Sequence, residues 1–93
     1  MNETTFSRRV HAIVKAIPKG SVLTYGQVAA AAGTPGAARA VGSLMKANLN
    51  PDIPCHRVVR SDGKIGEYNR AGGSLTKWKR LQDEGVDMSR LHL

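Results

Sequence analysis

The first half of the chain alternates apolar and polar positions with helical periodicity. Between Thr5 and Ile17 the apolar side chains follow an i, i+4, i+7, i+8, i+11 pattern, which predicts an amphipathic helix. Its apolar positions are Phe6, Val10, Ile13, Val14 and Ile17. The cations Arg8, Arg9 and Lys15 fall off that stripe. Pro18-Lys19-Gly20 is expected to end the helix.

Two shorter helices are predicted to follow. Thr24 has the side chain of an N-cap, and Gln27 three residues later completes a capping-box pattern. This second helix should run from Tyr25 to Ala32 and stop at Gly33. Thr34 is expected to cap a third helix, with Pro35 in its first turn, that continues to about Ala47. The tight connection between the two helices has the spacing of a helix-turn-helix.

The third helix is predicted to present two different faces. Ala38, Val41, Leu44 and Met45 form a face suited to packing. Arg39, Ser43 and Lys46 lie at i, i+4, i+7 on another face, which is expected to meet a partner. The small residues Gly36, Ala37, Ala40 and Gly42 should keep this helix slim enough to approach a nucleic-acid backbone closely.

The second half is predicted to contain little regular structure before a last helix. Residues 48–52 form a turn by composition, and residues 61–64 form a second one. Residues 57–59 and 64–65 are expected to form two short strands or a wing, followed by a loop over residues 66–73. The last helix should begin at Ser74 and end at Gly85, with Leu75, Trp78 and Leu81 facing inward, and the tail from Val86 shows no pattern. The fold class is therefore mainly α, a winged helix-turn-helix-like domain with a very small β-element.

Composition indicates one small basic domain that spans residues 1–93. The chain has 14 Lys and Arg residues against 7 Asp and Glu, a net charge of +7. Such an excess favours a polyanionic partner, most often nucleic acid. The one cysteine excludes an intramolecular disulfide, and the usual zinc-ligand spacings are missing. The sequence has no long apolar run and no signal-peptide pattern, so we expect no membrane association and a cytoplasmic location.

The candidate chemistry lies in the segment Pro54-Cys55-His56-Arg57-Val58-Val59. A cysteine is a strong nucleophile as the thiolate, and a neighbouring His or Arg favours that form. The alternative is that Cys55 is a small hydrophobic residue of the core. A direct Cys55–His56 pair looks awkward, because neighbours on a strand point to opposite faces; a water-bridged pair is more natural. Glu84 lies in the last turn of a helix, where the dipole disfavours a carboxylate, which indicates a specific partner.

In the order of its motifs, the chain resembles the DNA-binding, active-site domain of the O6-alkylguanine-DNA alkyltransferases. The resemblance covers about residues 5–86. Besides the cysteine segment it rests on residues 20–29 (GSVLTYGQVA), 37–42 (AARAVG), Asn48, 61–66 (SDGKIG) and Glu84-Gly85. Five blocks in this order make the match specific. Family members commonly carry a separate N-terminal domain, which we expect this chain to lack.

The resemblance implies a role for each matching residue. Cys55 would accept the alkyl group, and His56 would act through a water as its base, oriented by Glu84. Tyr25 would hydrogen-bond the flipped guanine and crowd its phosphate, and Asn48 would brace the turn before the cysteine. On the DNA side, Arg39 would fill the gap in the base stack from a helix in the minor groove, and the remaining members of the expected set are Ser43, Lys46, Ala37 and Gly42.

The implied function is repair of double-stranded DNA that carries O6-alkylguanine, by irreversible transfer of the alkyl group to the protein's own cysteine, as a monomer without cofactor or metal. One alternative is an alkyltransferase-like protein that binds alkylated DNA and recruits excision-repair proteins; Cys55 counts against it, because those proteins typically replace the cysteine. The other is a helix-turn-helix regulator, which leaves the cysteine segment without a role. Two departures from the family are a spacer from Asn48 to Cys55 that is one residue short, and Glu67 at a position that is often small or neutral.

Overall fold

The fold is built on four helices, as predicted. The computed structural model describes residues 4–93. The helices are α1 (Thr5–Lys15), α2 (Tyr25–Ala31), α3 (Ala38–Ala47) and α4 (Gly73–Asp83); the strands are β1 (Leu23–Thr24) and β2 (Val58–Val59); a 3₁₀ turn spans Cys55–Arg57. The described chain therefore confirms a mainly helical domain with a very small β-element.

The α1 helix keeps its predicted stripe but is shorter than expected. The Thr4 side chain caps it by accepting a hydrogen bond from the Ser7 amide. Val10 and Val14 are fully buried. The helix ends at Lys15 rather than at Ile17, because the Ile17 amide turns back to donate to the Val14 carbonyl at 3.1 Å. Ile17 still packs in the core.

The capping box of α2 is confirmed. Thr24 Oγ1 accepts from the Gln27 amide at 3.0 Å, and the Thr24 amide donates to Gln27 Oε1 at 2.8 Å. Gly33 follows the helix with φ +89°, a conformation that glycine adopts without strain. The sequence signals at both ends of α2 therefore agree with the structure.

The predicted start of α3 is wrong. The helix begins at Ala38 with Ala37 as its N-cap, so Thr34 is not the cap and Pro35 is not in the first turn. Instead the Ala37 amide donates to the Thr34 carbonyl at 3.0 Å and closes a separate turn. Gly36 and Ala37 therefore lie outside α3 and cannot make it slim. Val41 and Met45 are buried on the packing face, as expected.

The short strand expected at residues 57–59 is found as β2 (Val58–Val59), whereas residues 64–65 form only an isolated bridge. Strand β2 pairs in parallel with β1, with Leu23 opposite Val58 and Thr24 opposite Val59. The Lys64 region instead forms a bridge with His92, where the Ile65 amide donates to the His92 carbonyl at 2.9 Å. The tail, which showed no pattern in the sequence, therefore supplies the partner of this segment.

The α4 helix packs against the core with two of the three side chains that were predicted to face inward. Leu75 is 53% exposed, so its inward assignment is wrong, whereas Leu81 is fully buried and Trp78 packs on the core at its edge. Lys77 is only 1% exposed and occupies the interior beside them. From the tail, Val86 joins the buried cluster around Ile65 and Leu81, with Met88 and Leu91 packed against it.

Candidate functional site

The cysteine lies on a tight turn at the edge of a cleft. Cys55 opens the 3₁₀ turn after Pro54, with its amide donating to the Ile53 carbonyl at 2.8 Å. Its side chain packs in the core cluster around α1 and α2 and is 5% exposed. It also lines a cleft of about 870 Å³. Cys55 is therefore a core residue on one side and accessible from a cavity on the other.

His56, the second residue of the 3₁₀ turn, contacts Glu84. Because Cys55 and His56 do not lie on a strand, the expectation that strand geometry separates them is wrong. His56 is 3% exposed, and its Nε2 lies 2.9 Å from Glu84 Oε2. Burial lowers the pKa of His56, against the opposing effect of the Glu84 hydrogen bond. In the neutral imidazole Nε2–H donates to the carboxylate, which makes Nδ1 the acceptor.

Arg57 holds Glu84 from the other side, a contact that the motif comparison did not include. Its Nε donates to Glu84 Oε1 and its Nη2 to Oε2, both at 2.9 Å, the two-pronged geometry that suits a guanidinium. Its Nη1 donates to the Ile17 carbonyl at 2.8 Å. The Arg57 hydrogen bond is the largest of the effects that lower the pKa of Glu84 to about 2. This ion pair explains how a carboxylate is held at the C-terminal cap of α4 against the helix dipole.

Asn48 holds the segment that leads to the cysteine. It ends α3, is 7% exposed, and donates from Nδ2 to the Ile53 carbonyl at 3.1 Å and to the Asn50 carbonyl at 3.3 Å. Its Oδ1 accepts from the Asn50 amide at 3.1 Å. The segment between Asn48 and Cys55 is therefore held by hydrogen bonds from the Asn48 side chain.

Tyr25, which lines the cleft, contacts the buried Lys77. Lys77 Nζ lies 3.5 Å from the Tyr25 hydroxyl, 5.7 Å from its ring centroid, and 3.4 Å from the Glu67 carbonyl. Burial lowers the pKa of Lys77 to about 8, and burial is the main cause that raises the pKa of Tyr25. Lys77 was not among the site residues predicted from the sequence. Its i, i+4 spacing to Leu81, which places both on one face of a helix, could have indicated that it faces inward.

Four cations and one carboxylate side chain, that of Glu67, line the cleft. Arg39, Ser43 and Lys46 are exposed on α3 and line it together with Gly42, and the other two cations are Arg60 and Lys64. Ala37, predicted to contact DNA, is not among the lining residues and lies at the N-cap of α3. Residues 4–51 contain six Lys or Arg residues (Arg8, Arg9, Lys15, Lys19, Arg39 and Lys46) and no Asp or Glu.

Residues 4–93 show neither a cluster of metal ligands nor a helix that could span a membrane. Residues 4–93 contain no group of three or more His, Cys, Asp or Glu side chains placed to hold a metal ion. Within the same range no helix has the length and apolar character needed to cross a membrane.

Comparison with known proteins decides the family. Residues 5–86 match the family model described as the 6-O-methylguanine DNA methyltransferase, DNA binding domain. The chain belongs to this family. The resemblance drawn from the sequence motifs is therefore confirmed, and the fold is that of an alkyltransferase DNA-binding domain.

Relatives within the alkyltransferase family include longer proteins. The methylated-DNA–protein-cysteine methyltransferase of Rattus norvegicus is 45% identical over 86 residues, which are 90% of this chain and 41% of the relative. A bifunctional methyltransferase/endonuclease of Thermoplasma volcanium is 44% identical over 82 residues, 87% of this chain and 26% of the relative. The chain thus spans less than half the length of these curated relatives.

Two solved structures in complex with DNA share the fold of this alkyltransferase domain. Mycobacterium tuberculosis OGT in complex with DNA has a TM-score of 0.80 and 38% identity, over 97% of this chain and 52% of that one. S. pombe Atl1 in complex with damaged DNA containing O6-carboxymethylguanine has a TM-score of 0.78 and 39% identity, over 94% of this chain and 82% of that one.

Proposed function

We propose that this protein repairs O6-alkylguanine in double-stranded DNA by transferring the alkyl group to Cys55. The observation that carries the proposal is the hydrogen-bonded set around Glu84, next to a cysteine that lines a cationic cleft. The names of the relatives support the chemistry, and the two DNA complexes of similar proteins support the partner. A helix-turn-helix regulator has no use for this set.

The transfer is a substitution at the alkyl carbon. The O6 substituent cannot be reached inside a duplex, so the nucleotide must be extruded into the cleft, at a cost of a few kcal/mol. His56 takes the thiol proton of Cys55 through a bridging water. The sulfur then bonds to the alkyl carbon as the carbon–O6 bond breaks, and the departing guanine takes up a proton. The product is a thioether that cellular reductants do not reverse, so each molecule acts once.

Other residues support this step by position. Arg57 fixes Glu84, and Glu84 fixes the ring of His56, so that Nδ1 remains the proton acceptor. The Tyr25 hydroxyl donates to the departing guanine, and the cation of Lys77 beside it favours that donation as negative charge develops. Asn48 holds the turn that presents Cys55.

A transfer assay with a labelled methyl group tests the proposal. A duplex with one O6-methylguanine, labelled in the methyl carbon, is mixed with an excess of protein. We expect the label to move to the protein with single-turnover kinetics and to stop at one methyl group per molecule. Label that stays on the DNA would contradict the proposal.

Arg39→Ala is expected to separate DNA recognition from chemistry. Arg39 is exposed on α3 and lines the cleft, so its loss should remove the side chain that fills the gap left by the extruded base. Transfer from duplex DNA should slow by about tenfold or more, which corresponds to about 1.4 kcal/mol or more of lost stabilisation, while reaction with free O6-alkylguanine base stays near the wild-type rate. Arg90→Ala, in the tail, is the matched control. Equal losses on both substrates would make Arg39 a structural residue.

DNA affinity is expected to fall steeply with salt. The six cations of residues 4–51 face no carboxylate in that stretch of sequence, so several phosphate contacts should release counterions. Affinity for a duplex should fall by about an order of magnitude or more between low and physiological salt. Fluorescence anisotropy with a labelled duplex measures this, and a flat salt response would count against DNA as the partner.

A second candidate function is recognition of alkylated DNA without transfer, to recruit excision-repair proteins. It is favoured by the similarity to Atl1, of which this chain covers 82%. Lesion-dependent binding that leaves the methyl group on the DNA would support this function over transfer. We propose that in either function the protein acts as a cytoplasmic monomer.

A further inference from the structure

One loop joins the candidate DNA-contacting helix to the cysteine side of the cleft. The cleft loop comprises residues 66–72, and four of its members, residues 66–69, line the cleft. Gly66 and Gly72 have φ values of +84° and +89°. Glycine can adopt many backbone conformations, so these residues do not by themselves fix the conformation of the loop. Its position therefore depends on side-chain contacts.

Asn69 and Arg70 fasten the loop to the C-terminal end of α3. Asn69 Nδ2 donates to the carbonyl of Lys46 at 2.6 Å and to that of Asn48 at 2.7 Å, and Arg70 Nη1 donates to the Asn48 carbonyl at 3.0 Å. Arg70 also contacts Asn69 Oδ1. The last carbonyls of a helix lack partners within the helix and attract cations, so this end of α3 suits both donors.

Tyr68 connects the same loop to the catalytic side. Its hydroxyl accepts from Arg80 Nη1 at 2.6 Å, and the guanidinium of Arg70 lies 5.9 Å from its ring centroid. The ring meets His56 edge-on with centroids 6.4 Å apart. Asn69, Arg70 and Tyr68 therefore form a continuous series of contacts from the end of α3 to the ring of the proposed base.

We propose that Asn69 and Arg70 form a clamp that positions the cleft loop relative to α3, the candidate DNA-contacting helix. The position of the loop then determines which alkyl groups react. This inference rests on the proposed transfer function. With the clamp intact the cleft loop is fixed close to Cys55 and positions a small alkyl group. Without the clamp the cleft loop moves independently of α3. A methyl group then loses its alignment with the Cys55 sulfur, while a bulky flat alkyl group gains room in the cleft.

The double variant Asn69→Ala/Arg70→Ala tests the clamp. Single-turnover transfer is measured on two duplexes, one with O6-methylguanine and one with O6-benzylguanine. We expect the ratio of the benzyl rate to the methyl rate to rise by about tenfold, since misplacement by a fraction of an ångström has effects of this size. Arg70→Lys, which keeps a cation at the end of α3, should recover part of the wild-type ratio. Lys79→Ala, an exposed lysine on α4, should leave it unchanged.

Amide hydrogen exchange provides a readout that does not need transfer. Residues 66–72 should exchange about tenfold faster or more in the double variant than in the wild type, without DNA. If that variant does not fold, Asn69→Ala alone takes its place. Equal loss of both transfer rates, or unchanged exchange in the loop, would overturn the clamp. A wild type that transfers neither group would overturn the proposed function, while the exchange result would still decide on the clamp.

Discussion

Glu84→Gln is expected to lower the free energy of unfolding by about 3 kcal/mol and to slow transfer by about 100-fold. The Glu84 side chain is 10% exposed and accepts from Arg57 and His56 together. The amide removes the negative charge and leaves the Arg57 guanidinium, only 16% exposed, without a counter-charge. It also removes the acceptor that fixes the ring orientation of His56.

Denaturant unfolding and single-turnover transfer measure the two effects of Glu84→Gln. Asp62→Asn is the matched control, because the Arg60–Asp62 ion pair has the same 2.9 Å separation but side chains that are 54% and 47% exposed. Loss of such a solvent-exposed pair should change the free energy of unfolding very little. A Glu84→Gln variant as stable as the control would contradict the structural role of the ion pair.

The free energy of unfolding measured at acid pH tests the role of the same carboxylate. The pKa of Glu84 is about 2 in the folded protein against an ordinary value of 4.5, so the folded state binds this proton less readily than the unfolded state. Its contribution to stability is therefore complete above pH 4.5 and is lost as the pH falls towards 2. The difference in stability between wild type and Glu84→Gln should shrink over that interval, and a constant difference would contradict the assignment.

Lys77→Met is expected to stabilise the protein by about 2 kcal/mol at neutral pH and to slow transfer by about tenfold or more. Lys77 is 1% exposed, and its polar contacts to Tyr25 and Glu67 are long, at 3.5 and 3.4 Å. The pKa of about 8, against 10.5 ordinarily, means that burial disfavours the charged form. Met has a similar volume and no charge, so it removes this cost together with the cation beside Tyr25.

The stabilisation by Lys77→Met should depend on pH in a defined direction. Because the folded pKa lies below the unfolded one, the unfolded state binds more protons between pH 8 and 10.5, and wild-type stability rises with pH there. The advantage of the variant should thus be constant below pH 8 and disappear towards 10.5. Lys79→Met, an exposed lysine on α4, is the control. A Lys77→Met variant that is less stable, or that transfers at the wild-type rate, would contradict this account.

The sequence predicted best what depends on neighbouring residues. The capping box of Thr24 and Gln27 and the buried stripe of α1 each rest on residues within two or three turns, and both are found. The cysteine, histidine and glutamate were singled out before the fold was known, and the fold brings His56 and Glu84 into contact across 28 positions. That proximity came from the family resemblance, since no local rule connects the two.

Features that depend on distant segments were missed. A short strand at residues 57–59 was expected and is found, but its partner β1, which lies more than thirty residues earlier, was not predicted. One local prediction also failed: Thr34 has the composition of a helix start, but the Ala37 amide donates to its carbonyl and forms a separate turn, so α3 begins only at Ala38. The burial of Lys77 was not predicted, because lysine side chains are almost always exposed unless they have a partner in the interior. The sequence does not show such a partner. Asn69 and Arg70 belong to a loop whose contacts appear only when α3 is in place.

Intact-protein mass after reaction with a duplex that contains one O6-methylguanine tests the central claim most directly. The wild type and Cys55→Ala are incubated with the same DNA, and the site of any added mass is located by peptide mapping. We predict that the wild type gains one methyl group, on Cys55, and that Cys55→Ala gains none while still binding the lesion. An unchanged wild-type mass together with tight, lesion-dependent binding would contradict transfer and leave a damage-recognition protein.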